Sequence, residues 1–231
     1  MDFRDRHVVV TGGIGALGTA VVGALLDRGA TCHIPTHGND APDLFPYAQH
    51  ERVKVYPSVE LADQDQTDVF YAKVGSLWAS IHLAGGFAAK TLKDSRKADL
   101  MSQLDTNIVS CFLCCRAALK TFGQDGGRIV NVAARPALEP RTGAGMTAYT
   151  IGKAGVAALT MALAEEVARD GVLVNAVAPS IMDTPSNRKA MPKADHDLWP
   201  KVEQVAATIL FLASPENTVT RGGIVPVYGR S

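Results

Sequence analysis

Short runs of β-branched and apolar residues alternate along this chain with longer stretches whose apolar positions recur every three or four residues. "HVVVT" reads as a strand by its valines. In "ALGTAVVGALLDRG", Leu17, Val21 and Leu25, together with Ala24, share one helical face, and Gly29 stops the helix. "ATCHIPT" and "RVKVYPSV" follow as second and third strands, and "ASIHLAGG" as a fourth that runs into a glycine pair. A helical region is expected from about Lys93 to Phe122, then a fifth strand in "GRIVNVAA" and a helix from Met146 to about Arg169. "VLVNAVAP" is a sixth strand ended by proline, "KVEQVAATILFLAS" a helix and "GGIVPVY" a last strand. Strands separated by helix-length segments imply right-handed crossovers. The expectation is therefore a single-domain doubly wound α/β fold over residues 1–231, about seven parallel strands in a Rossmann-like sheet with helices on both faces. Near-continuous apolar strands fit a sheet covered on both sides. Only the region from Ile181 to Trp199 lacks clear periodicity, which suggests a functional loop or lid, with 183–199 as a mobile substrate lid.

Bulk properties narrow the function classes. The 231 residues carry a formal net charge of +0, so nothing points to nucleic acid or to an acidic membrane surface as a partner. No apolar stretch approaches membrane-spanning length, and "MDFRDRHVVVTGG" is no signal peptide, so a cytoplasmic protein is expected. The cysteines are Cys32, Cys111, Cys114 and Cys115. Cys111 and Cys114 form a C-x-x-C, but no second ligand pair lies nearby, and buried free thiols are the better reading; no metal is expected.

Two stretches carry candidate chemistry. The first strand runs into "TGGIGALG", Thr11 to Gly18, a glycine turn opening a helix. That context suits a dinucleotide pyrophosphate, because the backbone comes close and the helix N-terminus favours negative charge. A tight turn without a ligand is the competing reading. The second stretch is "AYTIGKAG", which on a helix puts Tyr149 and Lys153 one turn apart on one face. A free phenol has a pKa of about 10, and a neighbouring ammonium would move it toward the working range. Alone, such a pair could equally be two surface side chains.

The turn is closer to T-G-x-x-x-G-x-G than to G-x-G-x-x-G, and with the motifs after it the whole chain resembles the short-chain dehydrogenase/reductase family. "HLAGG" resembles that family's N-N-A-G turn, with His82 and Leu83 in place of both asparagines. Asn107 in "LDTNIVSCF" matches its helix-interrupting asparagine, and "VNAVAPSIMDT" the segment after the sixth strand, with Ser180 for the usual glycine. "DTPSNRKAMPKADHDLW" and "ARPAL" are similar to stretches of the branch that includes quinonoid dihydropteridine reductase. The relationship is one of branch, not of substrate.

The resemblance implies NAD(P)-dependent oxidoreduction of a small carbonyl, alcohol or quinonoid ring substrate. Tyr149 would be the general acid/base and Lys153 its helper. Asn107 would hold a water that links Lys153 to solvent through a backbone carbonyl. Cofactor contacts are implied at Thr11, Gly12, Gly13, Ile14, Gly15, Leu17 and Gly18, at Thr36 and His37, and at Glu60 and Leu61. Further contacts are implied at Ala84, Gly85 and Gly86, at Tyr149 and Lys153, and at Pro179, Met182 and Thr184. Thr184 would hydrogen-bond the carboxamide or a phosphate, and Met191 and Trp199 would supply apolar cover. "HIPTHGN" places Thr36 and His37 where NAD-specific relatives carry an acid, so NADPH is slightly favoured over NADH.

Self-association is implied through the helices bearing Asn107 and Tyr149, as a homodimer or homotetramer. His82 reads as a hydrogen-bonded turn histidine ahead of a catalytic one, and Asn131 as a satisfier of backbone groups. The family's serine after the fifth strand is missing, with Ala133 and Ala134 in "NVAARPAL". Thr142 or Thr147 could replace it, or a conjugated substrate could need one donor fewer; the last is favoured. The alternative function is a catalytically silent NAD(P)-binding sensor or partner-binding protein.

Overall fold

The computed structural model describes residues 1–38 and 45–231. Asn39, the end of the "HIPTHGN" run, lies outside the described residues. The valines of "HVVVT" form β1 (His7–Thr11), and α1 (Ala16–Leu26) follows the glycine turn. Next come β2 (Thr31–Pro35), β3 (Val53–Tyr56), α2 (Gln64–Ala72) and β4 (Ala79–His82). α3 (Lys97–Leu104) runs through a π-helical turn (Asp105–Val109) into α4 (Ser110–Thr121). The remainder is β5 (Gly127–Val132), α5 (Arg135–Leu138), α6 (Thr147–Glu166), β6 (Val172–Pro179), α7 (Pro185–Ala190), α8 (Val202–Ala213) and β7 (Ile224–Val227).

All the strands are parallel, in the order β3-β2-β1-β4-β5-β6-β7. Strand side chains alternate between faces. Val8 and Val10 therefore join the core layer of α1 and α8, while Val9 joins the layer of α2, α4 and α6. Val130 and Val177 lie in the first layer, and Ile129, Val174 and Ala178 in the second. The strand order reverses between β1 and β4. In open sheets of this kind a crevice forms there, outside the carboxyl ends of the strands.

The expected α1 face is buried at Leu17, Val21 and Leu25, and Val22 and Leu26 are buried too. The helix has two covered sides, since α8 packs on it as well as the sheet. α2 was absent from the periodicity reading. Its nine residues bury only Thr67, Phe70 and Tyr71, too few to mark a face. The segment 183–199 is not without structure. Thr184 caps α7, accepting the Asn187 N–H at 3.2 Å, and Pro185 occupies its first turn. Trp199 is buried. Among the described residues no helix is long and apolar enough to cross a membrane.

Candidate active site

The turn after β1 folds back on itself as only glycine allows. Gly12 has φ +65°, and a Cβ there would lie 2.8 Å from Ala84 N and 2.9 Å from Leu83 C. A Cβ on Gly18 would lie 2.1 Å from Gly12 O, so helix and turn touch through bare backbone. Gly15 caps α1, and no side chain satisfies the N–H groups of the first turn. Such a terminus attracts anions.

Beside this turn opens a cleft of about 1010 Å³. Gly12 and Ile14 line one wall, Thr36, His37, Glu60 and Leu61 the far end, and Ala84 and Gly85 the near end. Met101, Ser102 and Thr106 of α3 and the π-turn close the remaining side. The sequence reading missed those three. Ser102 and Thr106 stand four apart, Thr106 immediately before Asn107, which was the available signal.

At the near end Asn107 is buried, and its amide grips the backbone of Gly86 from both sides. Nδ2 donates to Gly86 O at 3.0 Å and to Gln103 O at 3.0 Å, while Oδ1 accepts the Gly86 N–H at 3.3 Å. The side chain is thus committed to its neighbours' backbone, and the expected water would have to take the Asn107 carbonyl. Lys153 is buried and donates from Nζ to Val132 O at 2.8 Å. A Cβ on Gly85 would lie 2.9 Å from Asn107 Oδ1 and 3.3 Å from Lys153 Nζ, so both groups converge on that glycine. Tyr149 stands one turn before Lys153 on α6. Its ring meets Phe87 edge-on, with centroids 5.1 Å apart and planes at 83°. Phe87 is exposed, and no sequence signal marked it.

The sequence profile of the short chain dehydrogenase family matches residues 6–195. The chain belongs to the short chain dehydrogenase family. It is an NAD(P)-dependent oxidoreductase of that family. It is 27% identical to a 3beta-hydroxysteroid dehydrogenase of Mediterraneibacter gnavus, over 98% of this chain and 95% of the relative. It is 30% identical to an acetoacetyl-CoA reductase of Cupriavidus necator, over 78% of this chain and 76% of the relative. A short-chain type dehydrogenase/reductase from Mycobacterium ulcerans superposes with a TM-score of 0.88 at 23% identity, covering 100% of this chain and 90% of that one. ElxO with NADP bound superposes equally well, TM-score 0.88 at 24% identity, covering 97% of each chain.

Not every expected contact of this short chain dehydrogenase lies at the cleft. Thr11 is buried, and its hydroxyl accepts the Ala84 N–H at 3.1 Å, so it ties β1 to the β4 exit. The Leu17 side chain is in the core. Gly13 lies against Ile34, with a Cβ there 2.9 Å from Ile34 Cγ2. Pro179 ends β6, Met182 packs on the core, and Thr184 caps α7. The absence of a carboxylate near His37 holds for β2 only. Glu60, from the β3 exit, puts Oε2 3.1 Å from His37 Nδ1. Thr142 is exposed and donates to Glu139 O at 2.8 Å, so it does not stand in for the missing serine. His82 belongs to β4 rather than to a turn. Asn131 serves side chains rather than backbone, donating to Thr160 Oγ1 at 2.9 Å and lying 2.8 Å from His82 Nδ1.

The electrostatics also differ from expectation. Burial pushes the Tyr149 phenol up to about 12, with no lowering from Lys153. Burial also lowers the Lys153 ammonium to about 8, only partly opposed by Cys111. Tyr149 therefore remains a proton donor throughout the neutral range, while Lys153 loses its charge as the pH rises through about 8. Reductive kcat/KM should be level near pH 6–7 and fall with a one-proton slope above about 8, reporting the free enzyme. A pH–rate profile that climbs from pH 7 to 10 would show instead that phenolate formation at Tyr149 governs the rate.

Proposed function

We propose that this enzyme is a reductase that favours NADPH slightly and delivers hydride and proton to a small conjugated carbonyl or quinonoid ring, pterin-like rings included. The carrying observation is the convergence of Lys153 and Asn107 on Gly85, with Tyr149 one turn away. The cleft suits a dinucleotide: Gly12, Gly15 and Gly18 let the turn fold tightly back on its own backbone beside it, and the first turn of α1 has no side-chain cap. The Gly12–Gly15 turn would hold the pyrophosphate, and Thr36, His37 and Glu60 the adenosine ribose. When bound, the cofactor supplies the hydride.

The chain's own part is the proton and the charge. Tyr149, kept protonated by burial, donates to the substrate oxygen. Lys153 places a positive charge beside the developing oxyanion and binds ribose hydroxyls. Asn107 fixes the Gly86 backbone. With alanines at 133 and 134, no hydroxyl follows β5, which suits an acceptor whose delocalisation reduces its need for a second donor. His37 offers a 2′-phosphate a donor, and Glu60 beside it keeps the discrimination modest. A second reading, a 3-oxoacyl or hydroxysteroid substrate, is favoured by the names of the relatives. The silent sensor is not favoured, since those relatives are named for catalysis.

Turnover should be measured on quinonoid dihydropterin, quinones, diketones and a 3-oxoacyl thioester, with NADPH and with NADH. Tyr149→Phe is expected to lose about 10² to 10⁴ in rate while NADPH fluorescence titration stays near wild type. Near-normal turnover by the variant would sink the catalytic assignment. A tenfold preference for NADH, about 1.4 kcal/mol, would overturn the cofactor choice. The highest kcat/KM on the thioester would install the second reading.

The segment 183–199 is read as a lid hinged at fixed ends, with the Asp183 N–H on Pro200 O at 2.9 Å and Trp199 buried. Hydrogen exchange over α7 should slow when NADPH and a substrate analogue bind, and unchanged exchange there would remove the lid. Phe112 on α4 and Ile151 and Met161 on α6 are exposed, which supports pairing of two copies across these helices. Sedimentation at micromolar concentration should show a dimer or tetramer, and a monomer would refute the pairing.

A further inference from the structure

Four donor atoms that the oxidoreductase reading leaves unused meet between β4, β5 and α4. His82 ends β4 opposite Asn131 on β5, and Cys111 and Cys115 stand one turn apart on α4. All four residues are buried. His82 Nδ1 lies 2.8 Å from Asn131 Oδ1, 3.6 Å from Cys115 Sγ and 4.0 Å from Cys111 Sγ. The sulfurs of Cys111 and Cys115 lie 3.3 and 3.7 Å from Asn131 Oδ1. The imidazole nitrogen and both sulfurs fall within 4.8 Å of one another. The C-x-x-C spacing misdirects here: Cys114 faces Tyr71, and it is Cys115 that joins Cys111.

As a hydrogen-bonded cluster these atoms are crowded. Thr160 Oγ1 donates to Val156 O, so it accepts from Asn131 Nδ2, and this turns Oδ1 toward His82 and the thiols. One amide oxygen, with two lone pairs, faces the imidazole and both thiols, and Cys115 also hydrogen-bonds Cys111. A tetrahedral ion would engage all four groups at once. Zinc–ligand lengths of about 2.0–2.3 Å set neighbouring ligand atoms about 3.3–3.8 Å apart; the sulfur contacts, at 3.3, 3.6, 3.7 and 4.0 Å, lie close to this, while the 2.8 Å between His82 Nδ1 and Asn131 Oδ1 has to open as the ion enters. The outer partner is also in place. His82 Nε2 lies 2.8 Å from Ser80 Oγ, which lies 2.7 Å from Tyr71 OH. A metal-bound imidazole needs such an acceptor for its other N–H. A divalent ion with two thiolates is neutral, which suits a buried site.

We propose that His82, Cys111, Cys115 and Asn131 form a structural site for a thiolate-preferring divalent ion of the zinc type. Each thiol gives up one proton, and the imidazole proton passes from Nδ1 to Nε2. Two protons leave per ion bound, and no electron moves. The ion joins two strands and a helix and stabilises the folded chain.

The test uses the full chain, reduced and stripped with a chelator, with Zn²⁺ or Co²⁺ either added to the native protein or present during refolding. One ion per chain is expected, with a raised melting temperature. Co²⁺ should show thiolate charge-transfer absorption and tetrahedral d–d bands. Cys111→Ser/Cys115→Ser should lose at least a hundredfold in affinity, while Cys114→Ala keeps it. No uptake at micromolar Zn²⁺ or Co²⁺ by either route would overturn the site, as would a Co²⁺ spectrum without thiolate bands. Unchanged binding by the double variant would do the same. If the double variant does not fold, the wild-type Co²⁺ spectrum decides.

Discussion

The Thr11 hydroxyl accepts the N–H of Ala84, and through that contact the end of β1 is held against the exit of β4, where the strand order reverses. The junction leaves no room for a side chain at residue 12, and the backbone there has a positive φ, so glycine is required on both counts. From this junction α1 departs on one side and the Gly85–Gly86 backbone on the other. Asn107 then holds Gly86 from beneath, so both rims of the cleft are referred to one fixed seam. At this seam two side chains, Thr11 and Asn107, hold backbone groups of Ala84 and Gly86, so the cleft's shape depends on those two side chains staying in place.

Burial is the second constraint, and it acts in opposite directions on the two members of the α6 pair. It disfavours charge on both, keeping the phenol protonated and making the ammonium easier to discharge. The Val132 carbonyl fixes where the ammonium sits. At neutral pH the pair is therefore a neutral phenol beside a charged ammonium.

Features carried by neighbours in sequence were legible; those made by the fold were not. The valines of β1, the glycine turn and the four-residue interval from Tyr149 to Lys153 are local patterns, and each stands where the sequence placed it. α2 escaped notice because its buried residues, Thr67, Phe70 and Tyr71, are too few for a periodic signal. α7 did carry a start signal in Thr184 followed by Pro185, but a six-residue helix gives no period to confirm it. The partnership of His37 with Glu60 joins the ends of two strands, and the approach of Phe87 to Tyr149 joins a loop to a helix. Neither has a spacing to read. The direction of the Tyr149 shift was also beyond the sequence, since spacing shows a nearby lysine but not how deeply the pair is buried.

The π-turn at Asp105–Val109 has a consequence for how this chain tolerates change in length. It winds one more residue into the helix than an α-turn would, closing with the Ser110 N–H on Asp105 O. One residue is worth about 100° of rotation. α3 can therefore present Met101 and Ser102 to the cleft while α4 presents Cys111, Cys114 and Cys115 to the core, two aspects that an unbroken helix of this sequence would not satisfy together. Losing a single residue here would turn the two halves by about 100° relative to one another. Either Asn107 would leave Gly86, or the thiols would leave the interior. The extra residue is the gear tooth that lets one helix serve two surfaces.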